Sequence, residues 1–393
     1  MQGMIQKREG KRGTTWQVII SYTDQDGQAR KLWRTTKTQK EAQILRNVLL
    51  VKVQQGVDID PENITFSEYL DKWLKDFGKT NLSPRTLESY ESIISKHLKP
   101  ELGAIQLSKL SPAHLREFYT KSLTDGRVDN KQTKGKALTA NTVHHFHRLI
   151  HLALKQAVRW ELVGRNVADA VDPPKQASEN SEEGKDLVFL NEQEIETLLT
   201  SIKVNYTYLP AYIAVNTGMR LGEVLGLRWQ DVDLEAKTLT IKQTLQTIKR
   251  EIKVRNRAKT KGSRRTIDLP DNLIAVLKKE QTHQETQKRW TYKDVYQDHD
   301  LVCCRENGEP YRPSTFGSYF RKLAIRAGLN ISFHSLRHTH ASLLLKAGVH
   351  PKVVSERLGH TKIGITMDLY SHVMPGMQKE AAQKIDAIMT GII

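Results

Sequence analysis

The sequence predicts a mainly α-helical protein with small β elements, arranged in three domains. These are an N-terminal three-stranded sheet with one helix (1–58), a helical domain (63–172), and a mixed, mostly helical domain with a β-hairpin (187–393). Three observations predict this. At 393 residues the chain exceeds what one ordinary hydrophobic core serves. Apolar spacing changes from alternation near the N-terminus to a helical period from about residue 65 onward. Between Asp172 and Asp186, the stretch Pro173-Pro174 followed by Ser178-Glu179-Asn180-Ser181-Glu182-Glu183-Gly184 is polar and without period, which marks 173–186 as an interdomain linker.

In the first domain, Thr15–Tyr22 is rich in β-branched and aromatic residues, Asp24–Gln28 supplies turn chemistry, and Ala29–Thr35 returns as a second strand. Thr38 and Glu41 form a capping-box pattern that opens a helix running to about Val53. Lys7, Arg8, Lys11, Arg12, Arg30, Lys31 and Arg34 line this sheet, as a solvated face or as contacts to a polyanion. Gln55–Thr65 is a polar connector. Beyond it, starts at Ser67, Ser83-Pro84, Ser111-Pro112 and Thr139 or Asn141 predict helices over 67–76, 84–97, 112–123 and 140–159. Lys121–Lys136 is a loop between two of them. The third domain opens at Asn191, which caps a helix with Glu194, and holds a hairpin region over 237–269.

Composition narrows the function. With 38% hydrophobic and 27% charged residues the chain is that of a globular protein, and no apolar run is long enough to cross a bilayer. Met1–Arg12 is polar and basic, unlike a secretory signal. The only cysteines, Cys303 and Cys304, are adjacent and cannot staple distant elements, so a reducing cytoplasm is expected. The net charge of +17 favours a polyanionic partner, with nucleic acid ahead of an acidic membrane surface.

Four features of the third domain carry chemistry together. In Asn216-Thr217-Gly218-Met219-Arg220-Leu221-Gly222-Glu223 the glycines permit close backbone approach beside Arg220, and Glu223 can fix its guanidinium. Taken alone, such a pair is more often a surface salt bridge. Ala258-Lys259-Thr260-Lys261-Gly262-Ser263-Arg264-Arg265 is a basic turn before the alternating strand Thr266–Leu269. Nine of the residues from 249 to 265 are Lys or Arg, and only Glu251 is acidic, so a lysine there can lose proton affinity and act as a proton donor. His334-Ser335-Leu336-Arg337-His338 opens a helix through Leu345, with His334 and Arg337 on one face of a turn that favours anions. Leu358-Gly359-His360-Thr361 is followed, ten residues after His360, by Tyr370. Each has a bland alternative: a solvated hairpin tip, a capped helix, a packing tyrosine. As a set, two arginines can bind the non-bridging oxygens of a phosphate while a tyrosine hydroxyl forms a covalent intermediate, without a metal or nucleotide cofactor.

This order of motifs resembles the tyrosine recombinase family, the phage-type integrases, over essentially the whole chain. The resemblance implies that Arg220 and Arg337 clamp the scissile phosphate of DNA and that Tyr370 attacks it to give a 3′-phosphotyrosine. It implies that Lys259 protonates the 5′-hydroxyl, with Lys261 as the alternative, that His334 acts as general acid and base, that His360 hydrogen-bonds the phosphate, and that Glu223 supports Arg220. The chain departs from the family at Asp268, where a proline is usual. By the same resemblance 65–172 is the core-binding domain, and 1–55 resembles the arm-binding domain found in integrases of temperate phages and conjugative transposons. The implied partners are double-stranded DNA at core and arm sites, further copies of the chain in a tetrameric synapse, an excisionase and a DNA-bending host factor, with no membrane. The implied setting is the cytoplasm and nucleoid of a bacterial host.

Other readings are a chromosome-dimer-type recombinase, a type IB topoisomerase-like enzyme, and a non-catalytic DNA-binding protein, which would leave the ordered motif set unexplained. A metal-dependent transposase needs clustered carboxylates that these motifs lack. His144, His147 and His151 share a helical face with no carboxylate or cysteine adjacent in sequence, and read as packing or DNA-facing. Cys303-Cys304 reads as core. Ala381, Ile385, Ile388, Met389 and Ile392 form an apolar stripe on a C-terminal helix, which docks either on its own domain or on a neighbouring copy.

Overall fold

The computed structural model describes residues 2–10, 13–23, 29–54, 64–128, 134–174, 188–256, 265–360, 364, 366–367 and 377–390. The expected turn at Asp24–Gln28, most of the linker, both candidate lysines, Tyr370 and Ile392 lie outside the described residues. The chain divides into two compact units, Met1–Ser181 and Glu182–Ile393. Both are mostly helical with small antiparallel sheets.

The first unit contains two hydrophobic cores. One belongs to strands β1 (Gln2–Gly10), β2 (Gly13–Thr23) and β3 (Ala29–Thr36) and helix α1 (Gln39–Gln54). The order is β1-β2-β3, all antiparallel. Val18, Ile20 and Leu32 point one way and meet Ala42 and Leu49 of α1. β1 is the strand that hydropathy alone passes over, because Gln2–Gly10 is mostly polar and carries few β-forming residues. The predicted cap at α1 forms: the Thr38 hydroxyl accepts from Glu41 N–H, and Glu41 accepts from Thr38 N–H.

The second core joins α2 (Phe66–Trp73), α3 (Lys79–Asn81), α4 (Pro84–Ile93), α5 (Lys99–Leu102), α6 (Pro112–Asp125) and α7 (Ala140–Arg159). Thr65, rather than Ser67, caps α2, in a capping box with Glu68. Single π-helical turns at Leu74–Gly78 and Ile94–Leu98 follow α2 and α4. Ser83 and Thr139 cap their helices by accepting from Thr86 and Thr142. Phe66, Tyr69, Leu70 and Trp73 from α2 and Val143, Phe146, Leu149 and Ile150 from α7 fill the centre.

The second unit runs through α8 (Glu192–Ser201), α9 (Tyr208–Thr217), α10 (Leu221–Leu225), β4 (Val232–Asp233), β5 (Thr238–Ile241), β6 (Gln243–Ile248), β7 (Glu251–Asn256) and β8 (Arg265–Asp268). Then come α11 (Asp271–Thr286), α12 (Pro313–Arg326), α13 (Phe333–Lys346), α14 (Pro351–Leu358) and α15 (Met377–Thr390). The predicted hairpin region contains two pairings. β4-β5-β8 form one sheet, and β6-β7 form a separate ribbon inserted between β5 and β8. Its tip, Lys249-Arg250, takes positive φ at both residues, the geometry a two-residue turn needs to follow the twist of its strands. The unit's core draws on α8 to α13 and on β5 and β8, with Leu225, Leu239, Ile267, Phe320 and Leu336 among its buried residues. Cys303 belongs to this core and Cys304 packs at its edge.

Candidate active site

Arg220 sits in the short turn between α9 and α10, and its position begins with Gly218. Gly218 ends α9 in the left-handed region, at φ 67°, and a β-carbon there would stand 2.5 Å from Leu358 and 2.7 Å from the His340 ring. Only glycine accepts both the dihedral and the contact. The chain can therefore reverse and expose the Arg220 side chain, which is 39% accessible, while Glu223 behind it is 1% accessible. The Glu223 carboxylate accepts from Arg220 twice, from the backbone N–H at 3.1 Å and from Nη1 at 3.1 Å.

Glu223 has a second guanidinium partner that its sequence neighbourhood does not reveal. Arg265, at the start of β8, donates from Nη2 to Glu223 Oε2 at 2.7 Å and from Nη1 to Oε1 at 3.4 Å. One buried carboxylate thus holds two arginines, one with its side chain 39% accessible and one with 9%, in fixed directions. The sequence signal for Arg265 was its place at the end of a basic run, where it is one cation among nine and indistinguishable by composition.

Arg337 lies in the first turns of α13 and is 2% exposed. Its Nη1 donates to the carbonyl of Gly218 at 2.8 Å, tying α13 to the turn that carries Arg220. His334, one turn earlier, packs edge to face on His338 with ring centroids 4.8 Å apart. Burial and then the nearby Arg337 and Arg220 lower the proton affinity of His334. Burial, with His334 and Arg337, brings His338 down to about 4.

His360 follows α14, which Gly359 ends in the left-handed conformation at φ 68°. Its Nδ1 shares a hydrogen bond of 2.8 Å with the hydroxyl of buried Thr366. Burial, then the positive charges of Arg337 and Arg220, lowers its pKa to about 4. Both His334 and His360 therefore feel both arginines, which puts the four side chains in one electrostatic neighbourhood. The lowered proton affinity favours the uncharged imidazole at both positions, in which the nitrogen without a proton can accept one.

Four of the six residues singled out in the sequence, Arg220, His334, Arg337 and His360, are brought together. Lys259 (like its alternative Lys261) and Tyr370 lie outside the described residues. The histidine row of α7 does not form a metal centre. His147 Nδ1 shares a hydrogen bond with the Tyr119 hydroxyl, His151 pairs with Asp169, and among the described residues no three His, Cys, Asp or Glu side chains converge as metal ligands.

Guanidiniums held by Glu223 and the Gly218 carbonyl, with imidazoles of lowered proton affinity beside them, suit phosphoryl transfer as well as adhesion to a polyanion. The transfer of DNA strands is one case of phosphoryl transfer. Residues 188–376 match the phage integrase family and residues 65–123 match its N-terminal SAM-like domain, so most of the chain is accounted for and it belongs to the phage integrase family of tyrosine recombinases. A tyrosine recombinase described as XerC-like, from Caldanaerobacter subterraneus subsp. tengcongensis, is 26% identical over 89% of this chain and 90% of its own length. The fold is shared with the integrase of transposon Tn1549 solved with circular intermediate DNA, at TM-score 0.66 and 17% identity over 82% of this chain and all of the other. It is also shared with the lambda integrase tetramer bound to a Holliday junction, at TM-score 0.57 and 16% identity over 89% and 91%. No helix among the described residues is long and apolar enough to cross a membrane.

Proposed function

We propose that this chain is an integrase that recombines DNA at specific sites through Tyr370, and that it inserts and excises a mobile element. The observation that carries the reading is the arginine pair fixed from behind, Arg220 by Glu223 and Arg337 by the Gly218 carbonyl, beside two neutral histidines. In this mechanism Arg220 and Arg337 bind the non-bridging oxygens of the scissile phosphate. The Tyr370 oxygen attacks phosphorus, a new P–O bond forms, and the bond to the 5′-oxygen breaks. Lys259 gives that oxygen its proton, while His334 takes the proton of the tyrosine. His360, with Nδ1 engaged by Thr366, turns its other nitrogen to the phosphate. Attack by a 5′-hydroxyl from the partner strand reverses the step and reseals the DNA. No nucleotide is consumed, because the phosphotyrosine conserves the bond.

The remaining domains are read in the same frame. Residues 65–172 grip the core site, and the sheet domain reads an arm site through the face that α1 leaves open. On that face the antiparallel register aligns Met4, Ile19 and Trp33, with Gln6 opposite Gln17, Arg8 opposite Thr15 and Lys31 opposite Ser21. Trp33 is 53% exposed there. Lys7 and Arg34 belong to the opposite face, so the basic run of the sequence is divided between the two. Assembly into a tetramer is assigned to α15, whose Ile385, Ile388 and Met389 are all exposed and call for cover by a second copy. An excisionase and a host bending factor complete the reading as partners.

The test is a suicide substrate carrying a nick near the cleavage site. Wild-type protein should accumulate a covalent adduct in EDTA, and Tyr370→Phe should bind the DNA with similar affinity and form none. On paired sites the adduct should migrate as a four-protein complex, and truncation after residue 376 should return it to smaller species. An adduct of normal yield from Tyr370→Phe, or complete loss of wild-type cleavage in EDTA, refutes the mechanism. A four-protein complex from the truncated chain refutes the role of α15.

A further inference from the structure

Behind the phosphate-facing groups, two more arginines cross-link the segments that carry them. Arg265, on β8, donates from Nε to the backbone carbonyl of Arg357 at 2.8 Å while its Nη atoms hold Glu223. Arg357, at the end of α14, donates from Nη2 back to the carbonyl of Asp268 on β8 at 3.0 Å and to the carbonyl of Asn216 at 3.2 Å. Its Nε donates to His340 Nε2 at 3.1 Å, and His340 Nδ1 meets the Val215 carbonyl at 2.7 Å. That pairing makes Nδ1 the protonated nitrogen and keeps the imidazole neutral. β8 and α14 are thus strapped reciprocally, each arginine donating to a carbonyl on the other's element.

Gly359 completes the strap. It stands at φ 68°, and a β-carbon there would lie 2.9 Å from Arg265 Nη1 and 3.1 Å from its Cδ. The glycine that ends α14, and so sets where His360 begins, leaves the space into which the Arg265 guanidinium fits. Arg265 consequently touches three segments at once: the helix start beside Arg220 through Glu223, the strand that follows the lysine-bearing run, and the helix end that leads to His360. Its side chain is 9% exposed, and its Nε, Nη1 and Nη2 all donate to the Arg357 carbonyl or to Glu223, so it acts through its neighbours.

We propose that Arg265 is a positioning residue for strand cleavage, which fixes the direction of Arg220 through the shared Glu223 carboxylate and holds the His360 segment in register with it. Without Arg265 the carboxylate loses its hold on β8 and follows Arg220 as it swings. The charge of the phosphate in the transition state is then met by a mobile arginine, and the benefit of a preorganised one is lost. The proposal rests on the recombinase reading above and names a residue whose role in that reading is indirect.

Two substrates separate positioning from mere folding. One is the ordinary nicked phosphodiester. The other carries a methylphosphonate at the scissile position, where a methyl group replaces one non-bridging oxygen and removes the negative charge that the arginines serve. Arg265→Gln should cleave the phosphodiester about 10- to 100-fold more slowly than wild type, the usual effect of removing a support from behind a functional group. Arg265→Lys, which keeps the charge, should recover part of the rate. On the methylphosphonate the deficit of Arg265→Gln should shrink to a few-fold, because correct aim of Arg220 matters less when the oxygen it neutralises is absent. Equal deficits on both substrates would overturn the proposal and leave Arg265 as a fold-maintaining residue, as would a wild-type rate from Arg265→Gln on the phosphodiester. Failure of the wild-type protein to cleave either substrate would instead refute the recombinase reading.

Discussion

The open face of the N-terminal sheet and the arginine cluster of the second unit both offer cations, but they hold them in opposite ways. On the sheet, Arg8 and Lys31 stand exposed, set two strands apart with Trp33 and glutamines around them. In the cluster, Arg337 is buried, the Arg265 side chain is 9% exposed, and even the more open Arg220 is tied twice to a carboxylate that is 1% accessible. A solvated cation keeps its freedom and its hydration, so it contributes affinity that salt screens. A guanidinium fixed by buried partners has already lost that freedom, so it meets charge developing in a transition state without reorganising. In the function proposed above, the one surface holds DNA and the other changes it.

The sharpest way to break this contrast is at Glu223. Glu223→Gln leaves the size of the side chain and removes the charge that two arginines share. Cleavage of a nicked substrate should fall by about 100-fold or more, and urea unfolding should show a loss of about 3–5 kcal/mol, as for other buried pairs deprived of one partner. The equilibrium affinity for duplex DNA should change only a few-fold. If cleavage survives, a fixed clamp is unnecessary and the distinction between the two surfaces fails.

A smaller and opposite effect is expected on the sheet. Arg8→Ala with Lys31→Ala should leave the cleavage rate of a saturated core substrate unchanged. It should flatten the slope of log affinity against log salt on a longer duplex by roughly 0.9 for each phosphate that is no longer neutralised. An unchanged slope would mean that this face does not meet the DNA backbone.

The smallest effect comes from pH. Burial lowers His338, His340 and His360 to about 4, and lowers His334 as well. Between about pH 6.5 and 4 the unfolded chain therefore binds more protons than the folded one at these sites, and stability is lost as pH falls through that window. The thermal midpoint of the second unit should drop from pH 7 to pH 5, in the direction that these lowered proton affinities set. His340→Asn should flatten the dependence. The sheet domain contains no histidine and cannot contribute to it by this route. A midpoint indifferent to pH over this range would contradict the burial of these imidazoles in neutral form.

Much of this was legible beforehand, for identifiable reasons. Helix caps are local, so Ser83, Thr139 and the Asn191–Glu194 box announce α4, α7 and α8 within a few residues of sequence. The motif order singled out Arg220, His334, Arg337 and His360 because each stands beside a glycine or at a helix start that leaves a trace in the sequence. A third strand was expected, but its place at β1 was hidden because those polar residues acquire a strand partner only when β2 pairs with them. The doubling of the hairpin region into β4-β5-β8 and β6-β7 was equally hidden, since a run of lysines and arginines has the same composition in one ribbon or two.

By itself the sequence determined which chemical groups are present, their order, and the caps and periods that make the helices, all of which depend on neighbours a few residues away. Tertiary structure alone decided which cations are buried and what holds them. Arg265 and Glu223 are 42 residues apart and Arg265 and Arg357 are 92 apart, yet they share hydrogen bonds of 2.7 and 2.8 Å. A charge loses its water only when distant segments close over it, and whether it then becomes a solvated contact or a fixed clamp is settled by that closure.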